Sequence, residues 1–181
     1  MSERNTVTRS MHDLGLAAWF GGSLMGAVGL NGAAADAADP SERLRLSALG
    51  WKRWAPVNAA AIAVHGLGGL GLIAANKRRV DKQDGVFANT VLKTAITLTA
   101  AGLTAYSGVL GRKVEEHSDQ GGVGATEPTP GASKDLAAAQ KQLQQIQWAI
   151  PALTGALVFL GAQQGEQQRP GQQLKHRFSR S

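Results

Sequence analysis

Apolar residues concentrate in four stretches of the chain, and polar and charged residues separate these stretches. Residues 14–35, 54–76 and 142–165 contain no Asp, Glu, Lys or Arg. Residues 94–111 are equally free of charge, and that stretch reaches back to residue 85 if Lys93 is included. A helix needs roughly 20 predominantly apolar residues to cross the core of a bilayer. The pattern therefore predicts an all-α fold, a four-helix transmembrane bundle with spans at about 12–35, 54–76, 87–112 and 142–163.

Two of the polar connections carry signals of their own. Asp39 followed by Pro40 is typical of an N-cap and a first helical position, and it predicts a short interfacial helix in the first loop. The connection at 115–133 is rich in Gly and Pro and predicts a mobile, water-exposed linker. Ser133 can cap the fourth helix, whose amphipathic opening DLAAAQKQLQQIQ predicts an extension beyond the bilayer.

The length of 181 residues suits a single domain. We divide the chain into a polar N-terminal tail at 1–10, the transmembrane domain at 11–165 and a basic tail at 166–181 that we expect to be disordered. The mean hydropathy of −0.14 resembles that of a soluble protein, because Ala and Gly rather than Leu and Ile build the apolar stretches. A soluble bundle of Ala-rich helices is the alternative. Its helices would each carry a charged face, and the four stretches carry none.

Charge and cysteine content narrow the possible functions. The absence of cysteine excludes disulfides, thiolate catalysis and cysteine-ligated metals. The net charge is +6, but the basic residues lie beside predicted helix ends, which favours contact with lipid headgroups over nucleic acid. An even number of spans puts both termini on one side, where Lys and Arg number ten against eight on the other side. This excess predicts a multi-pass plasma-membrane protein with cytoplasmic termini.

Small residues recur at four-residue spacing in the predicted spans, and such spacing lets helices approach closely in lipid. The second span also holds a denser group of glycines, which predicts a very close neighbour or a bend. The candidate helix-packing residues are Ala18, Gly22, Gly26, Gly66, Gly68, Gly69, Gly71, Ala100, Thr104 and Gly108.

Three ionisable residues fall within the predicted spans, namely Asp13, His65 and Lys93. Intramembrane ionisable residues are candidates for function. For His65 the simpler interpretation is a neutral imidazole that is hydrogen-bonded to a facing helix. Asp13 and Lys93 enter their helices at similar depth from the same side. They either form an ion pair or interact separately, Lys93 with headgroups and Asp13 with its own helix end.

Haem ligation by histidines from two spans is the most specific hypothesis for His65. The other histidine near the membrane is His12, which the predicted topology places at the inner surface, roughly 15 Å from His65. At that separation the two imidazoles cannot share an iron. The sequence therefore predicts no cofactor and no metal.

No nucleophile with a base at a recognisable spacing, phosphate-binding loop or zinc motif is present in the sequence. We therefore expect a non-enzymatic scaffold or accessory subunit of a membrane assembly. Its expected partners are the lipid bilayer and either another membrane protein or a second copy of the chain. The alternative is a small oligomeric transporter or ion-conducting protein that uses His65 and Lys93, and a membrane-embedded enzyme ranks last.

Five segments together resemble a known group of proteins. They are His12, residues 19–22 (WFGG), residues 54–79, residues 106–113 and residues 147–170. In this order the chain resembles small four-span integral membrane proteins of high-GC actinobacteria, over nearly its whole length. The function of that group is unknown, so the resemblance implies a fold and a compartment and no activity or site.

Overall fold

The computed structural model describes residues 5–75 and 84–167, with the side chains of 84–86 and 164–167 outside the description. Apart from one isolated bridge between two loop residues, all regular structure in this part of the chain is helical, which confirms the predicted all-α class. The predicted C-terminal tail lies outside the described residues from position 168 onward. The four long helices are α1 (Thr6–Ala35), α2 (Pro40–Ala75), α3 (Asp84–Glu116) and α4 (Lys134–Gln167).

Three of these helices are long and apolar enough to cross a bilayer. They are α1, α2 and the Lys134–Gln163 part of α4. The described part of α3 is not among them although the helix has 33 residues. Asn, several Thr and Lys93 lower the hydropathy of this helix, which is otherwise built largely from Ala, Leu, Val and Gly. A fourth span therefore remains a prediction.

The helices pack in a ring, with α1 on α2, α2 on α3, α3 on α4 and α4 on α1. The first pair is antiparallel, since Thr8 lies against Gly71 at one end and Leu30 lies against Gly50 at the other. We call the end with Thr8 and Gly71 the terminal end. We call the opposite end, where residues 117–133 connect α3 to α4, the loop end.

Two helices begin earlier than the sequence predicted. α1 begins at Thr6, so residues 6–10 are helical rather than a tail. α2 begins at Pro40, where the Asp39 carboxylate accepts a 2.8 Å hydrogen bond from the backbone N–H of Ser41, which confirms the predicted N-cap. The predicted interfacial helix is not a separate element, because the same helix continues without a break into the second predicted span.

α1 changes its winding near the loop end. Gly26–Leu30 forms a π segment, and the backbone N–H of Asn31 donates to the carbonyl of Gly26, five residues earlier. A π turn contains one residue more than an α turn and frequently lies at a functional position. The sequence did not predict this segment. The residue that follows it, Asn31, is buried among the helices.

The connection at 117–133 is packed onto the helices, so the prediction of a water-exposed linker is wrong. Its centre is buried at Ala125 and Thr126. Gly121 has a φ of 72°, a conformation that glycine adopts freely, and the next N–H donates to the Pro40 carbonyl at 3.1 Å. The guanidinium of Arg43 donates to the carbonyl of residue 123 at 2.8 Å. Glycine therefore allows the backbone of the loop to approach Pro40 closely. Residues of α2 form these hydrogen bonds with the loop.

The largest apolar cluster lies from the middle of the helices toward the loop end. Leu136, in the first turn of α4, is completely buried in it. The opening turns of α4 therefore pack against α2 and α3, and whether they extend beyond a bilayer remains a prediction. The buried members of the cluster are Trp19, Leu44, Ala100, Leu110, Val114, Leu136, Ala139, Ile146 and Ile150.

Candidate functional site

α1 and α2 approach each other closely at Gly15, a residue that the sequence reasoning did not single out. A Cβ placed on Gly15 would lie 2.5 Å from the carbonyl oxygen of Ala61 and 2.6 Å from the backbone nitrogen of His65. Real Cβ atoms do not approach other atoms so closely, so only glycine allows this contact. Because Gly15 has no side chain, the backbone of α2 can contact α1 at the level of His65.

The imidazole of His65 lies on the same surface of α1, between two aromatic rings. Its centroid is 4.2 Å from that of His12, with the planes tilted by 41°, and 6.2 Å from that of Trp19. Nδ1 lies 3.0 Å from the backbone carbonyl of His12. A carbonyl can only accept, so Nδ1 carries the hydrogen and Nε2 of the neutral ring carries a lone pair. His65 is 3% exposed.

His12 completes a cluster with a carboxylate. Its Nδ1 donates to the Asp13 carboxylate at 3.0 Å, and this side chain reaches the surface of the molecule. We call His12, Asp13 and His65 the histidine cluster. The predicted separation of roughly 15 Å between the two histidines is wrong. Because α1 begins at Thr6, His12 lies a turn and a half inside the helix and level with Gly68, less than one turn from His65 along α2.

Lys93 lies half-buried on α3 near this cluster. Both Arg9 and Asp13 of α1 interact electrostatically with its ammonium group. The Asp13 carboxylate makes its direct contact with His12. The structure therefore brings the charges of Asp13 and Lys93 into one region, and the predicted ion pair between them remains a prediction.

The glycine group of α2 lies against α1 at three of its four positions. Gly68 contacts the backbone of His12, and a Cβ on Gly71 would lie 2.5 Å from the methyl group of Thr8. A Cβ on Gly69 would make an ordinary 3.4 Å contact with the His12 ring. Of the two predicted causes for this group, the close neighbour is the one observed at these positions.

Toward the loop end, indole rings fill the space that glycines leave on α1. The ring of Trp54 lies against Gly22 and the ring of Trp51 lies against Gly26. A Cβ at either glycine would overlap ring carbons. We call the interface between α1 and α2 the seam. Small residues in this part of the seam therefore make room for large side chains of α2 rather than for its backbone.

The remaining candidate packing residues occupy varied positions. Ala100 is completely buried and Ala18 is half-buried. Thr104 accepts a 3.2 Å hydrogen bond from the indole N–H of the buried Trp19, which connects α1 to α3. A Cβ at Gly66 or Gly108 would meet nothing within 4 Å, so these glycines lie away from contacts within the described chain.

A second polar cluster at the loop end was missed by the sequence reasoning, which considered only ionisable residues. The Asn31 side-chain oxygen accepts hydrogen bonds from the Ser47 hydroxyl at 2.8 Å and the Trp51 indole N–H at 3.0 Å. Its amide donates to Gln147 Oε1 at 2.9 Å. Three helices therefore meet at one amide. The available signal was an Asn within a charge-free stretch.

The same hydrogen bonds continue into the loop. Gln147 donates to the Thr126 hydroxyl at 3.3 Å, and that hydroxyl donates to the Glu127 carboxylate at 2.9 Å. Gln144 donates to the same carboxylate at 3.2 Å. We call this set the amide network, which comprises Asn31, Ser47, Trp51, Thr126, Glu127, Gln144 and Gln147. It holds the loop on the helices.

The two clusters differ in the chemistry they allow. The amide network consists of groups that bond to one another and position structural elements. The histidine cluster contains two imidazoles, and imidazole is the side chain that most often gains or loses a proton near neutral pH. Within residues 5–75 and 84–167, no group of three or more His, Asp or Glu side chains is arranged to hold a metal ion.

Comparison of the chain with protein-family models, with curated proteins and with solved structures found no match. The resemblance to actinobacterial four-span proteins therefore remains a prediction.

Proposed function

We propose that this chain is a non-enzymatic, multi-pass integral membrane protein of four spans that acts as a scaffold or accessory subunit of a membrane assembly. The plasma membrane, cytoplasmic termini and kinship with actinobacterial four-span proteins belong to the same proposal. Its partner is another membrane protein or a second copy of the chain.

Support for a lipid environment comes from the distribution of polar and apolar side chains. Large apolar side chains point outward on the helices, with Leu67, Leu98 and Phe159 exposed by 62%, 67% and 68%. Amides such as Asn58 and Gln140 are buried. Many exposed large apolar side chains together with buried amides are unusual in a water-soluble protein, and this is the observation on which the proposal rests.

Support for a scaffold role comes from α3. This helix is not among the three candidate spans and exposes much of its surface, including Leu98, Tyr106 and Val109. Gly108 lies on this surface, where a Cβ would meet nothing within 4 Å. Small residues on a lipid-facing helix favour close contact with another helix. A partner helix on α3 would also cover its threonines.

The alternative, an oligomeric transporter or ion-conducting protein, draws support from the grouping of Arg9, His12, Asp13, His65 and Lys93 at the terminal end. It requires water to reach His65, which is 3% exposed between two rings in the single chain. The close packing favours the scaffold.

The test is purification from the native cell in mild detergent after crosslinking, with mass spectrometry of the co-purifying proteins. We expect a stoichiometric membrane partner that His65→Ala retains and Gly108→Leu loses. Gly21→Leu is the matched control, because position 21 of α1 is equally open. Purification of a solitary monomer would contradict the scaffold. Ion flux into liposomes that His65→Ala abolishes would favour the alternative.

A further inference from the structure

The histidine cluster joins α1 and α2 through the imidazole of His65. The surroundings of this ring do not favour a second N–H on it. His65 Nδ1 already donates to the carbonyl of His12. A proton added to Nε2 would need an acceptor, and the described residues provide no hydrogen bond to that nitrogen. His65 as a whole residue is 3% exposed, so a charged ring would be largely cut off from solvent.

The charges around His65 also oppose a second proton. On α1, Arg9 is cationic, His12 is in ring contact with His65, and the Asp13 carboxylate is engaged by His12. On α3, Lys93 is cationic and lies near Arg9 and Asp13. α4 has no Asp, Glu, Lys, Arg or His between positions 142 and 165. Among the described groups near His65, the Asp13 carboxylate is therefore accompanied by the side chains of Arg9 and Lys93 and by the imidazole of His12.

The position of His65 determines what its protonation would disturb. The backbone of His65 lies against Gly15, where α1 has no side chain. The ring of His65 contacts His12, which lies about one turn before Gly15 on α1. A charged ring is costly in this dry contact, and separation of α1 from α2 at the terminal end would admit water to it. The contacts of Gly68 and Gly71 with α1 lie beyond it toward the terminal end. These contacts would separate together with His65.

We propose that the α1–α2 seam is an acid-sensitive latch, closed while His65 is neutral and opened at the terminal end when His65 takes up a proton. In water an imidazole titrates near pH 6.5, so an open seam binds more protons than a closed one below about that pH. Acidification therefore favours the open form. The loop end, which the amide network and the apolar cluster hold, stays closed.

The test uses the full-length chain in lipid nanodiscs. Because the protein has no cysteine, paired spin labels can be placed without background. Val7→Cys with Leu70→Cys reports on the terminal end, and Val28→Cys with Leu49→Cys reports on the loop end. These four side chains are 73%, 65%, 58% and 45% exposed. Between pH 7.5 and 5, the terminal distance should lengthen and the loop distance should stay unchanged.

A variant and a control connect the opening to His65. The amide of His65→Asn can donate to the His12 carbonyl but does not titrate, so this variant should stay closed at pH 5. His117→Gln, at an exposed histidine of the loop end, should open like the parent chain. The latch would be overturned if His65→Asn still opened at pH 5, or if the two ends of the parent chain moved equally.

A second measurement is independent of any substitution. The ¹⁵N chemical shifts of selectively labelled histidines distinguish the Nδ1–H tautomer from imidazolium. His65 should show the Nδ1–H tautomer at pH 7.5 and become imidazolium over the same pH range in which the terminal distance lengthens. A terminal end that opens while His65 stays neutral would refute the proposal.

Discussion

The terminal end and the loop end of the four helices are held together by opposite means. At the terminal end, α1 and α2 meet through missing side chains, at Gly15, Gly68 and Gly71, with the histidine cluster beside them. At the loop end, side chains fill the interior, with an apolar cluster and the amide network. At the first end an atom added at Gly15 or Gly68 would meet the backbone of the facing helix. The second end is sensitive to removed atoms, and an atom added at Gly26 would meet an indole ring rather than backbone.

The largest effect is expected from adding one methyl group at the terminal end. In Gly15→Ala the new Cβ would lie 2.5 Å from the Ala61 carbonyl oxygen, and neither backbone can yield without separating the helices. Overpacking of this kind costs about 3 kcal/mol. The free energy of unfolding, measured by denaturant titration in detergent micelles, should fall by that amount.

Gly21→Ala is the matched control, because a Cβ at that position meets nothing within 4 Å. It should leave stability unchanged or raise it by up to about 1 kcal/mol, since alanine favours a helix over glycine. Equal losses in the two variants would mean that the seam does not depend on close backbone approach.

An intermediate effect is expected from removing the central amide at the loop end. Asn31→Ala leaves the Trp51 indole N–H and Gln147 Oε1 without their partner, and each unsatisfied buried group costs about 1–3 kcal/mol. We expect a loss of roughly 2 kcal/mol together with faster hydrogen exchange of the amides at 122–127. Thr99→Ala, which removes a hydroxyl bonded within its own helix, is the control. Unchanged exchange in Asn31→Ala would show that the network does not hold the loop.

The smallest effect concerns the cap of α2. The Ser41 hydroxyl and backbone N–H hold the pKa of Asp39 below its ordinary value of 3.8. The stabilisation is therefore complete above that value and is lost as the pH falls through the lower, folded-state pKa. Between pH 5 and pH 2.5, the thermal midpoint of the parent chain should fall more than that of Asp39→Asn. Ser41→Ala, which keeps only the backbone donor, should fall by an intermediate amount. Identical pH profiles would argue against a charged cap.

Local signals predicted the helices well. The charge-free stretches lie within α1, α2, α3 and α4, except for position 76, which is outside the described residues. Both predicted caps are present, since Ser133 accepts a 3.4 Å hydrogen bond from the N–H of Leu136. Such signals depend on residues within one or two turns of one another. Helix starts were less accurate, because the polar residues at 6–10 extend α1 by packing on the end of α2.

The polar clusters could not be predicted from local pattern. His65 bonds to a residue 53 positions away and Asn31 to one 116 positions away. Spacing along the chain showed that each lay in an apolar helix. It did not show which face of the helix each occupied.

The burial of residues 117–133 could not be predicted from local pattern either. A stretch rich in glycine and proline is compatible with a solvated linker and with a tightly folded loop. Arg43 and Gln140 provide donors for its carbonyls, and Arg43 lies 80 positions away from Val123, whose carbonyl it binds.

The sequence alone established an all-helical fold with long apolar helices, because hydropathy and capping are properties of neighbouring residues. It missed the early start of α1 and the unbroken course of α2 from Pro40. Only the tertiary structure decided the register of α1 against α2. That register follows from where glycines allow backbones to touch and where side chains must fill the space between them. It brings His12 onto His65 and Asn31 onto Gln147.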